Sequence, residues 1–256
     1  MKRKPQILIV NDDGIHGPGL DPLADALKSV GEVTVVVPAS ERSADSHSLT
    51  LHKPLRVTEI RPRVFIVNGS PASCARLAIL EVMRRGIDLV ASGINRGYNL
   101  GQDVLYSGTV AGAKEATLLG LPAFAISRSA RHANDSEPGA YAAAAVFAKK
   151  IAREILRNGL PPGICLNVNV PDRPAARIRG ARIARLGHRI YDQKVTLRHD
   201  PAGRAYFWLM GREASGHPTP GTDVAAVRDG YISVTPIQLD ATHAPSLRLL
   251  ARWKLA

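Results

Sequence analysis

The feature that most constrains the fold is an alternation of short β-branched apolar runs with stretches of helical spacing. Residues 6–10 (QILIV) form one continuous apolar run, and residues 32–37 (EVTVVV) form the next. Between them, the apolar residues of 20–27 fall on one face of a helix, which Gly31 ends. Such unbroken runs are typical of strands buried on both faces of a parallel sheet. This part of the chain therefore predicts a βαβ unit.

The same alternation continues as far as residue 170. Predicted strands at 64–67, 88–91, 123–126 and 164–170 alternate with predicted helices at 70–85, 107–119 and 137–157. Repeated strand–helix alternation predicts an α/β protein with a Rossmann-like, doubly wound and mostly parallel sheet. Proteins of this class bind their ligands outside the carboxyl ends of the strands.

From about residue 172 the chain becomes rich in arginine, glycine and proline. Two alternating runs, residues 205–210 (AYFWLM) and 231–239 (YISVTPIQL), predict hairpin strands. The stretch after residue 240 fits either a short helix or an extended arm. We therefore expect an α/β core over residues 1–171 and a β-hairpin and arm region over residues 172–256 that completes one domain.

The charge is strongly positive: 34 Lys and Arg against 22 Asp and Glu give a net charge of +12. This charge favours acidic partners, although an arginine-rich composition also reflects genome base content. An alternative therefore stays open at this stage, a basic protein that binds nucleic acid or another polyanion without hydrolysing it. Such a protein would show salt-sensitive binding.

The expected location is the cytoplasm. Cys74 and Cys165 lack metal-site spacing and lie in apolar patterns, which predicts reduced thiols without zinc or a disulfide framework. No apolar run reaches the roughly 18 to 20 residues of a membrane span. The basic residues 1–4 precede a short strand-like run instead of the core of a signal peptide.

The strongest local motif is Asn11-Asp12-Asp13-Gly14, directly after the first predicted strand. Two adjacent carboxylates at the ligand-binding edge repel one another unless a cation neutralises them. Hard divalent cations such as Mg²⁺ and Mn²⁺ take oxygen ligands of this kind. The alternative is a capping Asp and a turn Asp, with Gly14 at positive φ.

Polar residues also follow other strands of the predicted sheet. Ser43 and Asn95 offer neutral oxygens to a cation, and residues 107–109 offer hydroxyls and backbone N–H groups to a phosphate at a helix N-terminus. Each of these is also explained by an ordinary cap or turn. The histidines near polar or Gly/Pro-rich stretches are interpreted as solvated loop residues; they are His47, His188 and His217.

Two common phosphate-binding motifs are absent from the sequence. Residues 14–19 (GIHGPG) do not match G-x-G-x-x-G, and no G-x-x-x-x-G-K-[ST] occurs. The sequence therefore disfavours a dinucleotide-dependent dehydrogenase and a P-loop NTPase.

Together these motifs closely resemble the SurE family of stationary-phase survival proteins. The resemblance lies in five blocks that span nearly the whole chain in the family's order: residues 7–20 (ILIVNDDGIHGPGL), 35–51 (VVVPASERSADSHSLTL), 68–74 (NGSPASC), 92–116 (SGINRGYNLGQDVLYSGTVAGAKEA) and 221–240 (GTDVAAVRDGYISVTPIQLD).

The resemblance implies a metal-dependent phosphatase that acts on nucleoside 5′- and 3′-monophosphates, in some members also on short polyphosphate. It implies a Rossmann-like core whose C-terminal segment exchanges between the subunits of a homodimer or homotetramer. A stable complex with nucleic acid or with a membrane is not expected.

The family's site residues are carried over to matching positions. The ligands of one divalent cation per subunit, Mg²⁺ or Mn²⁺, fall on Asp12, Asp13, Ser43 and Asn95, and the phosphate-binding residues on Asn99, Ser107, Gly108 and Thr109. Asp12 and Asp13 are also the catalytic candidates, either of which would accept the proton of an attacking water. The chain departs from the family at Asp45 and Ser46, where a small or neutral pair is common, and at Ser73, where Asp is usual. Asp45 brings negative charge close to Ser43.

Overall fold

The computed structural model describes residues 3–84, 86–129, 139–189, 195–209 and 219–254. The strands are β1 (Gln6–Val10), β2 (Glu32–Pro38), β3 (Val57–Arg61), β4 (Val64–Val67), β5 (Ile87–Arg96), β6 (Ala123–Arg128), β7 (Ile164–Val170), β8 (Ala181–Ile183), β9 (Thr196–His199), β10 (Ala205–Trp208) and β11 (Ile232–Gln238). The helices are α1 (Leu20–Lys28), α2 (Pro71–Leu77), α3 (Gly108–Leu118), α4 (Ala142–Asn158), α5 (Asp223–Arg228) and α6 (Ala244–Leu250). A π-helical segment (Ala78–Val82) continues α2, and 3₁₀ turns lie at Gly101–Leu105 and Ala175–Arg177.

Nine strands form one sheet in the order β3-β4-β2-β1-β5-β6-β7-β11-β8. The six strands from β4 to β7 in this order are parallel, whereas β3 and β11 run antiparallel to β4 and β7. The chain runs outward from β1 to β2 and β4 and then returns to β5 on the other side of β1. The gap between β1 and β5 is therefore the topological switch point, where doubly wound sheets bind ligands. The predicted Rossmann-like α/β fold is confirmed.

Both faces of the sheet are covered, as the continuous apolar runs predict. Along β1, Ile7 and Ile9 pack into the cluster with α1 and α4, while Leu8 and Val10 pack into the cluster with α2 and α3. Because side chains of a strand alternate between its two faces, a strand covered on both sides is apolar at every position.

The C-terminal elements differ from their prediction in one respect. Residues 205–210 were expected in a hairpin, and β9 and β10 form one, antiparallel and outside the main sheet. The hairpin assignment of residues 231–239 is wrong, because β11 joins the main sheet between β7 and β8. Within the stretch after residue 240, which was expected to be a short helix or an arm, the helix α6 forms over Ala244–Leu250.

Three further boundaries differ, and one strand on the other side of the sheet was missed. The helix predicted over 70–85 is α-helical to Leu77 and continues as the π-helical segment to Val82, and the helix predicted from 137 begins at Ala142. The strand predicted over 88–91 extends through β5 to Arg96, so Asn95 lies in a strand. Strand β3, whose residues are all exposed, was not predicted. In the part of the chain that the structure describes, no helix is both long and apolar enough to cross a membrane.

Candidate active site

Three elements meet around the two aspartates that follow β1. The backbone N–H of Arg42, in the loop after β2, donates to the backbone oxygen of Asp12 at 2.7 Å. The N–H of Arg96, at the end of β5, donates to Asp13 Oδ2 at 3.2 Å. The Thr109 hydroxyl, in the first turn of α3, donates to Asp12 Oδ1 at 2.5 Å. The fold thus brings the loop after β2, the end of β5 and the start of α3 to one place.

Asp12 is the most deeply buried acid of this group, with 4% of its surface exposed. Burial raises the pKa of its carboxyl from 3.8 to about 7; the Thr109 hydrogen bond opposes the shift and the Asp13 charge adds to it. Among the described residues, no lysine or arginine forms a salt bridge with Asp12. A buried carboxyl next to a second carboxyl is chemically suited to a cation, which would stabilise its ionised form.

Gly108 allows helix α3 to begin directly against Asp12. A Cβ atom at this position would lie 2.8 Å from Asp12 Cβ and 3.0 Å from Asp12 Oδ2. One turn later, a Cβ on Gly112 would lie 2.8 Å from Val10 Cγ2. A helix without these two glycines would stand further from β1. The short residues of the motif SGTVAG therefore set the distance between the helix and the carboxylates.

Ser107 is the N-cap of α3, with its hydroxyl oxygen accepting from the N–H of Val110 at 3.0 Å. The first N–H groups of a helix have no partner within the helix and carry its positive dipole end. The backbone of Gly108 and Thr109 therefore presents donors suited to an anion beside Asp12. Both the hydroxyl and the backbone N–H of Thr109 interact with the Asp12 carboxyl, so Thr109 fastens the start of α3 to this carboxylate.

Asn95 and Ser43 each lie next in sequence to a residue whose backbone N–H contacts the aspartates, Arg96 and Arg42 respectively. Asn95 is 9% exposed, and its side-chain nitrogen donates to the Gly97 backbone oxygen at 3.0 Å, which leaves the amide oxygen as its acceptor. Ser43 is exposed, and its hydroxyl donates to Glu41 Oε1 at 2.8 Å. Its link to the aspartates passes through the backbone of the neighbouring Arg42. No cluster of three or more His, Cys, Asp or Glu side chains that could hold a metal occurs among the described residues.

Asn99 is buried and held by side chains that the sequence did not single out. Its N–H donates to Asn169 Oδ1 at 2.8 Å, and its backbone oxygen accepts from the amide nitrogens of Asn167 and Asn169 at 2.8 and 3.0 Å. Its own side-chain nitrogen donates to the Ser127 hydroxyl at 2.8 Å. The signal in the sequence was the pair of asparagines in the otherwise apolar strand ICLNVNV.

Asp223 is another buried polar residue that joins distant segments and that the sequence did not single out. Its carboxylate is fully buried and accepts from the N–H groups of Gly101 at 2.9 Å and Gly187 at 2.7 Å. It thereby joins the segment after Asn99 to the C-terminal region. Asp223 lies in the block GTDVAAV that resembles the family, which was the available signal.

Glu115, in α3, is a buried carboxylate with two partners. It contacts His47 Nε2 at 2.8 Å and accepts from Arg76 Nε at 2.5 Å. Burial alone would raise the pKa of Glu115, but the hydrogen bonds from His47 and Arg76 outweigh it and hold the pKa below its usual value. His47, interpreted from sequence as a solvated loop residue, is therefore bound to the protein. His188 contacts Gln102, and His217 lies outside the described residues.

Ser73, where the family usually has Asp, anchors a neighbouring segment. Its hydroxyl oxygen accepts from the N–H of Thr50 at 2.8 Å and from the Ser70 hydroxyl at 2.9 Å. This departure therefore keeps an acceptor at the start of α2.

Comparison with known proteins gives one consistent family. The family model described as Survival protein SurE matches residues 7–193. The 5′-nucleotidase SurE of Geobacter sulfurreducens is 50% identical over 250 residues, covering 98% of this chain and 94% of that protein. The 5′-nucleotidase SurE of Syntrophotalea carbinolica is 48% identical over 249 residues, covering 97% of each. The crystal structure of the SurE protein from Aquifex aeolicus has a TM-score of 0.85 and 39% identity, and covers 96% of this chain and 98% of that one.

Proposed function

The chain belongs to the SurE family of survival proteins, and on this basis we propose that it is a metal-dependent phosphomonoesterase that hydrolyses nucleoside 5′- and 3′-monophosphates to nucleoside and phosphate. Two relatives over nearly its full length are named 5′-nucleotidases. The observation that carries the proposal is the contact of the buried Asp12 carboxyl with the first turn of α3. It places groups suited to a cation and groups suited to a phosphate side by side.

One divalent cation per subunit, Mg²⁺ or Mn²⁺, belongs to this function. The oxygen donors that would hold it are those of Asp12, Asp13, Ser43 and Asn95. When bound, such a cation polarises a phosphoryl oxygen and lowers the pKa of a water molecule. Two carboxylates with two neutral oxygens suit a hard cation.

Residues of the chain bind the phosphate, orient the Asp12 carboxyl and accept the proton. The N–H groups of Gly108 and Thr109, with the Ser107 hydroxyl, hold the phosphate oxygens at the helix N-terminus. Asn99 completes the phosphate site from the segment after β5. The Thr109 hydroxyl fixes Asp12 Oδ1 at 2.5 Å, which orients that carboxyl. Asp12 or Asp13 accepts the proton of the attacking water.

The C-terminal region is the proposed interface between subunits. We propose that residues 1–171 carry the chemistry, and that residues 172–256 complete the sheet and form the interface of a homodimer or homotetramer in the cytoplasm. The exposed apolar side chains of the β9–β10 hairpin support an interface: Phe207 and Trp208 are 61% and 54% exposed. Short-chain polyphosphate is a further proposed substrate.

The direct test is phosphate release from 5′- and 3′-nucleoside monophosphates, short polyphosphate and p-nitrophenyl phosphate, with Mg²⁺, Mn²⁺ or EDTA. We expect release by the wild type from the nucleotides, and none in EDTA or with Asp13→Ala. Absence of release with either metal would overturn the proposal and leave polyanion binding by the arginine-rich half as the alternative. Equal release by Asp13→Ala would remove the site assignment.

A further inference from the structure

The loop of residues 39–48, called here the serine loop because it contains Ser43, has a strained backbone. Ala44 and Ser46 adopt φ values of 61° and 54°, a left-handed conformation that side chains with a Cβ rarely occupy. Such strain persists only where the surrounding structure holds the backbone in place. The contacts that hold this loop therefore also fix the position of Ser43, whose oxygen is one of the proposed cation ligands.

Two backbone hydrogen bonds flank the strained residues. The Arg42 N–H donates to the Asp12 oxygen at 2.7 Å, and the Ser46 N–H donates to the Tyr106 oxygen at 3.1 Å. The next residue, His47, makes the side-chain contact of the loop with α3, at 2.8 Å between its Nε2 and Glu115 Oε2. The first half of the serine loop is thus bound to Asp12, just after β1. Its second half is bound to α3, the helix whose first turn forms the proposed phosphate site.

The Glu115 end of this contact is rigid. Glu115 is 1% exposed, and its second oxygen is bound by Arg76 at 2.5 Å. Arg76 by itself neutralises the buried carboxylate, so His47 is not required for charge balance. The distinctive consequence of the His47 contact is that it fastens the serine loop to α3.

We propose that His47 and Glu115 are positioning residues, which hold the serine loop in its strained conformation and so keep the Ser43 oxygen among the cation-binding oxygens. The inference rests on the proposed function for the role of Ser43, and on the contacts above for the anchoring. It goes beyond the ligand set, because neither residue would touch the cation or the substrate.

The first test is hydrogen exchange of the full chain in EDTA, followed by mass spectrometry, for the wild type and His47→Ala. His47 is partly exposed, so its replacement leaves the core intact, and the Glu115–Arg76 pair stays. We expect peptides covering residues 40–48 to exchange at least about tenfold faster in the variant, and peptides from α4 to be unchanged. Unchanged exchange in the serine loop would overturn the anchoring.

The second test is the Mn²⁺ dissociation constant, measured by titration calorimetry. Loss of a residue that orients a ligand typically weakens metal binding by about 10- to 100-fold. We expect a rise of at least about tenfold for His47→Ala, with a smaller change in kcat at saturating Mn²⁺, and a return towards the wild-type value for His47→Gln, whose amide can donate to Glu115. An unchanged dissociation constant would refute the positioning role.

A rescue experiment separates local strain from general stability. Ala44→Gly in the His47→Ala background removes the strain at Ala44, one of the two left-handed residues of the loop, since glycine adopts positive φ freely. We expect the Mn²⁺ affinity to recover at least in part. Arg84→Gly is the matched control, because Arg84 is also left-handed, at φ 49°, and is exposed outside the serine loop, after the π-helical segment. Equal recovery with both glycines would contradict the proposal.

These readouts also separate the inference from the proposed function. The exchange measurement needs neither metal nor nucleotide. A wild type that releases no phosphate, together with faster loop exchange in His47→Ala, would refute the function and keep the anchoring. A wild type that releases phosphate, together with unchanged loop exchange in His47→Ala, would support the function and refute the anchoring.

Discussion

The sheet edge that carries the proposed site and the β9–β10 hairpin differ in the burial of their side chains. At the edge, Leu8, Val10 and Thr109 are fully buried, and Asp12 is fixed by a hydrogen bond from α3. In the hairpin, every strand residue is exposed, and Leu209 just beyond it is 83% exposed. The side chains at the site edge are therefore fixed by the packing of the chain itself, whereas the hairpin leaves its apolar side chains exposed, as is typical of an interaction surface.

The largest effect should come from changing the carboxyl at the site edge. We expect Asp12→Asn to lower kcat by at least about 10³-fold, because it removes a cation-binding charge while keeping the shape of the side chain. Phosphate release from a nucleoside monophosphate at saturating Mn²⁺ measures it. Asp21→Asn is the matched control, since Asp21 lies on the exposed surface of α1. Comparable losses in both variants would contradict the assignment.

A smaller loss should follow from moving α3 away from β1. In Gly108→Ala the added methyl would lie 2.8 Å from Asp12 Cβ, so the helix start must shift. A displacement of about 1 Å can cost about 10²-fold in rate, and we expect a loss of that order in kcat. Gly120→Ala is the control: Gly120 has a positive φ but nothing within 4 Å of an added Cβ. It should lower stability without changing the turnover of folded protein.

The buried Asp12 should also make stability depend on pH when metal is absent. The pKa of the Asp12 carboxyl is about 7 in the folded chain and 3.8 when the side chain is fully solvated, as in the unfolded chain. At a pH between these two values, the folded state holds a proton that the unfolded state has lost. The free energy of unfolding in EDTA should therefore fall as pH rises from about 4 to about 7, by several kcal/mol. Urea unfolding at a series of pH values measures this.

The control for the pH effect is Asp12→Asn, which cannot titrate. It should lose this part of the fall, and a wild type and variant with parallel pH profiles would show that Asp12 does not hold the proton.

The smallest effect on turnover should come from the hairpin. We expect Phe207→Ser with Trp208→Ser to shift the chain towards a smaller assembly in analytical ultracentrifugation, because these side chains are the exposed apolar surface. Turnover per chain should change by less than about threefold, since the hairpin contains none of the proposed site residues. An unchanged assembly would place the interface elsewhere.

The sequence predicts those parts of the fold that depend on local patterns, and it fails where the contacts join residues far apart in the chain. The bounds of β1 follow from an unbroken apolar run, and those of β7 from an apolar run interrupted by two asparagines; both patterns are local properties of the sequence. The exposed residues of β3 carry no such pattern, and β11 was misassigned because alternation shows a strand without showing its partner. The continuation of β5 from Ser92 to Arg96 has only one strand-forming residue, Ile94, and was therefore not predicted.

The site shows the same limit. The positions of Asp12 and Asp13 at a strand end could be derived from local sequence and fold class. The roles of Glu115 and Asp223 could not, because their partners lie up to 122 residues away in the chain. A polar residue within a helical pattern is normally exposed, so sequence alone gives no reason to bury Glu115.

Anomalous diffraction from crystals soaked in Mn²⁺ would locate a divalent cation bound where β1, β5 and α3 meet. We expect one strong peak per chain, about 2.1 Å to 2.2 Å from oxygens of Asp12 and Asp13, and none in crystals of Asp13→Ala. A peak at another place, or an equal peak in the variant, would contradict this expectation.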